Sequence, residues 1–345
     1  MLTRADLDEA VRSGIITEQQ ALALQDLPAK RHAARHQHAL SDERFVFMKN
    51  FNEFFIALGV VLLGVGLWAA AATLPSLGVA FPVVFIAVMW GLAEYLTRKL
   101  KLTLPSIVLA IFIVPGLAYY VHGVISMGSE ETAWFATSAD MRLPGLAAIV
   151  AALLFYLRFR LPFALLLLAG SCVVTFLDVC VRLFDEPSQG VIYILFLIAG
   201  FATLAAAQWY DMSDRERLTR RSDCGFWLTL IAAPLIVHPI AGIISSGQDV
   251  TAQSNILTIA AVVLFALIAL VIDRRAFLVS SLAYLGGALV YAFSQLGGEQ
   301  NAIWITLLLM GASVILLGVG WHRARRAVMQ FVPTILARHL PVVRA

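Results

Sequence analysis

The stretch Leu77–Val124, LGVAFPVVFIAVMWGLAEYLTRKLKLTLPSIVLAIFIVPGLAYYVHGV, decides the fold. Two apolar runs, Leu77–Leu96 and Leu104–Val124, flank a basic turn carrying Arg98, Lys99 and Lys101. A hydrocarbon core about 30 Å thick is crossed by roughly 20 apolar residues rising 1.5 Å each, so each run matches one bilayer crossing. The basic turn between them marks a helical hairpin whose closed end stays on one face of the membrane.

The same unit recurs in both directions along the chain. Further apolar runs at Phe54–Thr73, Leu143–Leu157, Pro162–Leu183, Val191–Trp209, Gly225–Ile244, Asn255–Ile272, Ala276–Phe293 and Ala302–Trp321 bring the expected total to ten spans. Helices are the reading, because a backbone in lipid must satisfy its own hydrogen bonds and these runs lack the alternation of a barrel strand. A chain of 345 residues that is 60% hydrophobic and only 14% charged falls outside every soluble class. Its mean hydropathy of +0.85 says the same. The expected fold class is therefore all-α, a polytopic transmembrane helical bundle.

Basic residues near span ends are retained on the cytoplasmic side. Arg98, Lys99 and Lys101 follow span two; Arg158 and Arg160 follow span four; Arg215, Arg217, Arg220 and Arg221 follow span six; Arg274 and Arg275 follow span eight; Arg323, Arg325 and Arg326 follow span ten. With the basic N-terminal segment and tail on that same side, only Arg142 and Arg182 among 25 Lys and Arg fall opposite. The opposite loops carry Glu130, Glu131, Asp140, Asp185, Glu186, Asp249 and Glu299. Both termini are thus expected in the cytoplasm, with residues 1–40 as a hairpin and linker, 41–326 as the membrane domain and 327–345 as a tail. Span four, Leu143–Leu157, covers only about 22 Å at helical rise, short of a full crossing. Removing it would nevertheless invert every later loop, so it is kept as a span, with Arg158 and Arg160 snorkelling to the interface.

The first fifty residues are polar, and no small-residue cleavage site follows the first apolar run, so no cleavable signal is expected. The net charge of +3 is accounted for by anionic lipid facing the basic loops rather than by nucleic acid. The three cysteines give no disulfide framework: Cys172 and Cys180 fall within one span, and Cys224 is expected on the cytoplasmic side.

Before the membrane, Thr3 and Asp6, then Thr17 and Gln20, stand at the spacing of helix N-caps, and Gly14 suits a left-handed helix end. Leu7, Ala10, Val11 and Ile15, with Ile16, Leu22 and Leu24, outline one shared apolar face, too small to fold alone. That face is expected to dock on the membrane domain, a second copy or a protein partner. Leu7 to Ala21, with Ser13-Gly14-Ile15-Ile16-Thr17-Glu18-Gln19-Gln20-Ala21 leading into a Gly-rich first span, resembles the start of a family of bacterial multi-spanning membrane proteins of the domain-of-unknown-function type. Thr219-Arg220-Arg221-Ser222-Asp223, Phe226-Trp227 and Ala232-Ala233-Pro234-Leu235-Ile236-Val237-His238-Pro239 are similar to a segment of proteins of that kind. The resemblance implies a polytopic protein of the bacterial inner membrane with a cytoplasmic N-terminal hairpin, and it carries no activity or catalytic residue to transfer.

Arg98, Arg158, Arg215 and Arg274 open cytoplasmic loops about sixty residues apart, the period of a hairpin of two spans. Leu62-Leu63-Gly64-Val65-Gly66-Leu67-Trp68 in the first span echoes Leu316-Leu317-Gly318-Val319-Gly320-Trp321 in the last, on helices of opposite direction. Any up-down bundle with short loops has the first pattern, and chance or plain close packing of glycine-bearing helices gives the second; these explanations are favoured over a repeat.

Ionisable groups within spans carry the functional reading, since each costs roughly 2.5 to 3.5 kcal/mol at a helix centre. Ser171, Thr175, Asp178 and Arg182 share one face of the fifth span, with Asp178 and Arg182 spaced to pair. His238-Pro239 lies past the middle of the seventh span with Pro234 before it, and two prolines free backbone carbonyls as transporter helices do. The ninth span adds Ser280, Tyr284, Gly287, Tyr291 and Gln295 along one face. Asp178, Arg182, His238, Ser171, Thr175, Tyr284 and Tyr291 are the candidate lining of a polar cavity. Plain interhelical hydrogen bonding and an interfacial ion pair explain the same residues structurally. Glu94 and Arg98 are spaced as an i,i+4 pair, His122 with Tyr119 and Tyr120 suits an outer aromatic belt, and His32, His36 and His38 read as solvated linker. No metal or cofactor is expected, and Walker, GxSxG and HExxH signatures are missing. An embedded enzyme whose residues converge only in three dimensions stays open, but two function classes lead: a transporter or permease, and a non-catalytic scaffold or sensor working through the N-terminal hairpin.

Overall fold

The computed structural model describes residues 9–15, 17–21, 51–73, 80–125, 142–185, 187–214, 217, 219–245, 252–297, 299–334 and 340–341. Each apolar run is helical: α1 (Phe51–Thr73), α2 (Ala80–Ala93, continued by a π-helical turn Glu94–Lys99), α3 (Thr103–Ile125), α4 (Arg142–Phe159), α5 (Phe163–Leu183), α6 (Gln189–Ser213), α7 (Arg220–Ser245), α8 (Ala252–Ile272), α9 (Ala276–Gly297) and α10 (Glu299–Met329). Among the described residues there is no strand, and all ten helices are long and apolar enough to cross a membrane. The protein is a polytopic helical bundle.

Most helices outrun the apolar runs read from the sequence, and two of the extensions matter most. Helix α4 takes in Arg142 and extends to Phe159, giving 18 residues, or about 27 Å. Helix α10 runs past Trp321 to Met329 because His322-Arg323-Ala324-Arg325-Arg326-Ala327-Val328-Met329 holds no breaker before Pro333. Cys224 lies within the first turns of α7 and is buried beside Leu165, Ala207 and Leu228. His122 turns inward and is buried, while Tyr119 packs on Trp68 with ring centroids 4.6 Å apart.

Apolar packing divides the helices into two groups of five. Val60, Met89, Ile113, Phe155 and Ala164 share one core across α1–α5. Val237, Phe265, Phe277 and Trp321 share another, with Leu197 and Leu204 of α6 packed against it. Helix α5 is the main seam between the groups: Leu165 meets Leu228, and Val173 meets Ala199 and Leu235. Phe163 sets its ring edge on Trp227 at 4.8 Å.

The turns at the basic end share one device. Lys101, Arg160, Arg217 and Asp273 all have left-handed backbone, with φ of 53°, 50°, 55° and 59°. The turns follow α2, α4, α6 and α8 at the period of about sixty residues read from the basic loops. At the fourth, the Arg274 N–H reaches back to the Ala269 carbonyl at 2.9 Å, a Schellman closure with Asp273 as its left-handed residue. Aspartate tolerates that conformation better than a branched or bulky side chain.

In the N-terminal segment, the Thr17 N–H donates to Gln20 Oε1 at 2.9 Å and the Gln20 N–H donates to Thr17 Oγ1 at 3.3 Å, a reciprocal capping box. Gly14 has φ +71° and the Ile15 N–H bonds the Ala10 carbonyl at 3.0 Å, so the first helix ends there as its glycine suggests. Thr3, Asp6, Leu7, Ile16, Leu22, Leu24 and the three linker histidines lie outside the described residues.

Candidate functional site

Helix α7 carries Pro234 and Pro239 in its interior, and each removes a backbone donor to the preceding turn. Between them His238 stands about 27 Å along the helix from Arg220, toward the end opposite the basic turns. Its ring is not packed away, and Nδ1 shares a hydrogen bond with the Tyr284 hydroxyl of α9. The imidazole accepts that proton in its Nε2-protonated tautomer and donates in the other. The two rings lie 6.2 Å apart, tilted by 47°. Tyr193 of α6 approaches α7 at Gly242, where a Cβ would fall 2.5 Å from the phenol oxygen. Gly242 is thus the gap that admits that ring. Along α9, Ser280, Tyr284 and Tyr291 are half-buried, and Gly287 opens onto free space.

The fifth-span stripe has a different neighbourhood. Ser171 and Thr175 hydroxyls each donate to a carbonyl of their own helix at 2.8 Å, Leu167 and Ser171 respectively. Thr175 packs closely on Gly145 of α4. Asp178 and Arg182 form the expected pair along α5, with Nε 3.2 Å from both carboxylate oxygens. Leu165 opposite Leu228 and Val173 opposite Leu235 set the register of α5 on α7, which places Asp178 close to the depth of His238. The principal neighbours of α9 are α7, α8 and α10, whereas those of α5 are α3, α4, α6 and α7. The seven candidate residues therefore fall into two groups: His238, Tyr284 and Tyr291 on the α7 and α9 side, and Ser171, Thr175, Asp178 and Arg182 along α5, with Thr175 against α4.

A third polar group escaped the sequence reading because its members sat among the loop charges. At the basic end, Arg274 donates from Nε and Nη2 to Asp211 at 3.0 and 2.5 Å, and from Nη2 to the Ser222 carbonyl at 2.9 Å. Both side chains of the pair are 2% exposed, which makes this an ion pair inside the protein rather than a surface contact. Gly225 creates the room, since any Cβ there would strike the Asp211 carboxylate. Asp273 receives Arg217 at 2.9 Å, Arg325 at 3.5 Å and the Trp321 indole N–H at 2.8 Å. Arg325 also donates to the Leu270 carbonyl at 3.1 Å and to the Pro341 carbonyl at 2.8 Å. Asp214 accepts from the Thr219 N–H and hydroxyl at 2.8 and 2.7 Å, and Thr219 Oγ1 caps the Arg221 N–H at 3.2 Å. One signal in the sequence marked part of this group: Asp273 is an acidic residue set directly before the basic pair Arg274 and Arg275.

Glu94 also exceeds its sequence reading. It contacts Arg98 at 3.6 Å, but Arg158 of α4 holds it in a two-pronged contact at 2.7 and 2.9 Å. Among the described residues, no cluster of three or more His, Cys, Asp or Glu is placed to hold a metal ion. No family model, curated protein or solved structure matches the chain.

Proposed function

We propose that this integral membrane protein is a permease-like transporter of the bacterial inner membrane, with both termini cytoplasmic, whose solute path passes the face where α7 and α9 present His238, Tyr284 and Tyr291. The supporting observation is the His238–Tyr284 hydrogen bond set on a helix interrupted by Pro234 and Pro239. The prolines leave carbonyls in the preceding turns without their helical donors, and those oxygens add acceptors to an imidazole and two phenols. This set has hydrogen-bonding capacity in both directions and no fixed charge, which suits a small polar, uncharged solute. The Asp178–Arg182 pair stands at a similar depth on α5 but in the other group, apart from this face.

The test is thiol accessibility. Single cysteines at 238 and 284, in a background with Cys172, Cys180 and Cys224 replaced by alanine, are expected to react with a small impermeant reagent applied from the acidic-loop side, because thiolate formation requires water. Protection of both positions while a cysteine in the loop after α5 labels would remove the path.

A second reading is a membrane scaffold or sensor that recruits a protein partner or a second copy through the N-terminal hairpin. Ile15 favours it, standing 76% exposed just after a properly closed helix end. Deleting residues 1–40 is then expected to leave the bundle inserted and to change its assembly size; unchanged size and partners would count against it.

A further inference from the structure

We propose that the C-terminal segment around Leu340–Pro341 is a removable latch that holds the basic end of the second five-helix group closed through Arg325. The contact is specific. Arg325 is 2% exposed, and its guanidinium spans three elements: the end of α8 through the Leu270 carbonyl, the turn before α9 through Asp273, and the C-terminal segment through the Pro341 carbonyl. Pro341 is itself buried. Asp273 in turn holds Arg217 from the α6–α7 turn and Trp321 of α10, and the adjoining Arg274 holds Asp211. One guanidinium therefore couples the tail to both hairpins at this end.

Stability alone does not call for such a construction. Buried ion pairs are commonly no better than apolar packing of the same volume, and a broken one leaves a charge that must find water. A network of this kind favours two discrete arrangements, dry and closed or wetted and parted, over continuous loosening. Pro341 offers Arg325 a backbone carbonyl, an acceptor that carries no charge and can leave without stranding one. The latch requires no particular solute and stands apart from the transport reading.

The chain carries its own reporter. Cys224 is buried, two residues from the Ser222 carbonyl that Arg274 binds and next to Gly225, against which Asp211 packs. With Cys172 and Cys180 replaced by alanine, labelling of Cys224 by N-ethylmaleimide reads water entry at this end. Removing residues 331–345 is expected to speed labelling at least tenfold, and a synthetic peptide of residues 331–345 is expected to return it toward the full-length rate. Arg325→Met in the full chain, which removes the tail contact together with those to Asp273 and the Leu270 carbonyl, is expected to label fast without response to the peptide. Unchanged labelling in Arg325→Met overturns the latch. So does fast labelling of the shortened, folded protein that the peptide does not reverse, because the tail would then be fixed structure.

Discussion

Arg217 and Asp273, the left-handed residues of two neighbouring basic-end turns, hold each other twice: Nη1 lies 2.9 Å from Oδ2, and Nη2 donates to the Asp273 carbonyl at 2.9 Å. The strained turn of one hairpin is thereby fixed by the strained turn of the next. Backbone in that region costs on the order of 1 kcal/mol or more per residue and persists where its surroundings over-determine it.

Asp273→Asn isolates the charge, because asparagine adopts the same backbone readily. Arg217 and Arg325 would keep hydrogen-bond acceptors but lose the charge of Asp273, and removing one partner of a buried pair costs about 3 kcal/mol or more. Thermal unfolding in detergent should show a large loss. The exposed Arg98, replaced by glutamine, should change almost nothing in the same assay.

Gly225→Ala should act on a residue that it does not replace. Its methyl group meets the Asp211 carboxylate and comes within 3.1 Å of the Ala207 carbonyl, so Asp211 must move and Arg274 loses its seat. A loss of about 1–3 kcal/mol is expected from the overpacking. At Gly287, where nothing lies within 4 Å of an added Cβ, the same change should be neutral or stabilising by about 0.5–1 kcal/mol. Equal effects at both sites would refute the close packing at Gly225.

Glu94→Gln breaks the link between α2 and α4, but both partners of that link are roughly one-third exposed. The expected loss is below about 1 kcal/mol. It should also shrink as salt rises to about 1 M, where the screening length is near 3 Å. A large, salt-independent loss would mean that the contact is buried by something else in the membrane.

Orientation is open to a direct check. Reporter fusions after Arg326 and just before Phe54 are expected to read cytoplasmic, and one between Ser126 and Asp140 is expected to read on the opposite side. A cytoplasmic signal from the third fusion would indict α3 or α4 as a crossing.

The architecture was open to a sequence reading because it depends on run length and composition, which are local. The basic turns were equally legible as markers, yet their chemistry was not. Arg217, Arg274 and Arg325 look like Arg98 or Arg323 in the chain, and only three-dimensional packing separates a solvated arginine from one sealed against Asp211 or Asp273. The ends of α4 and α10 shifted because polar residues at a membrane boundary leave the hydrophobic pattern before they leave the helix. Among the candidate site residues, periodicity correctly placed Asp178 with Arg182, since both lie on one helix. The pairing of His238 with Tyr284 crosses between helices, and no spacing along the chain encodes it.

The seam formed by α5 has a consequence for biogenesis. Chains leave the ribosome from the N-terminus, so the first five helices enter the bilayer and can gather around Phe155 and Met89 before α6 is made. Leu165 and Val173 then wait for Leu228, Ala199 and Leu235 to complete their packing. For that interval the half-made protein presents a furrow to lipid or to an insertion factor, and the α6–α7 hairpin completes it. The order of synthesis thus builds the first group as the template onto which the second one docks.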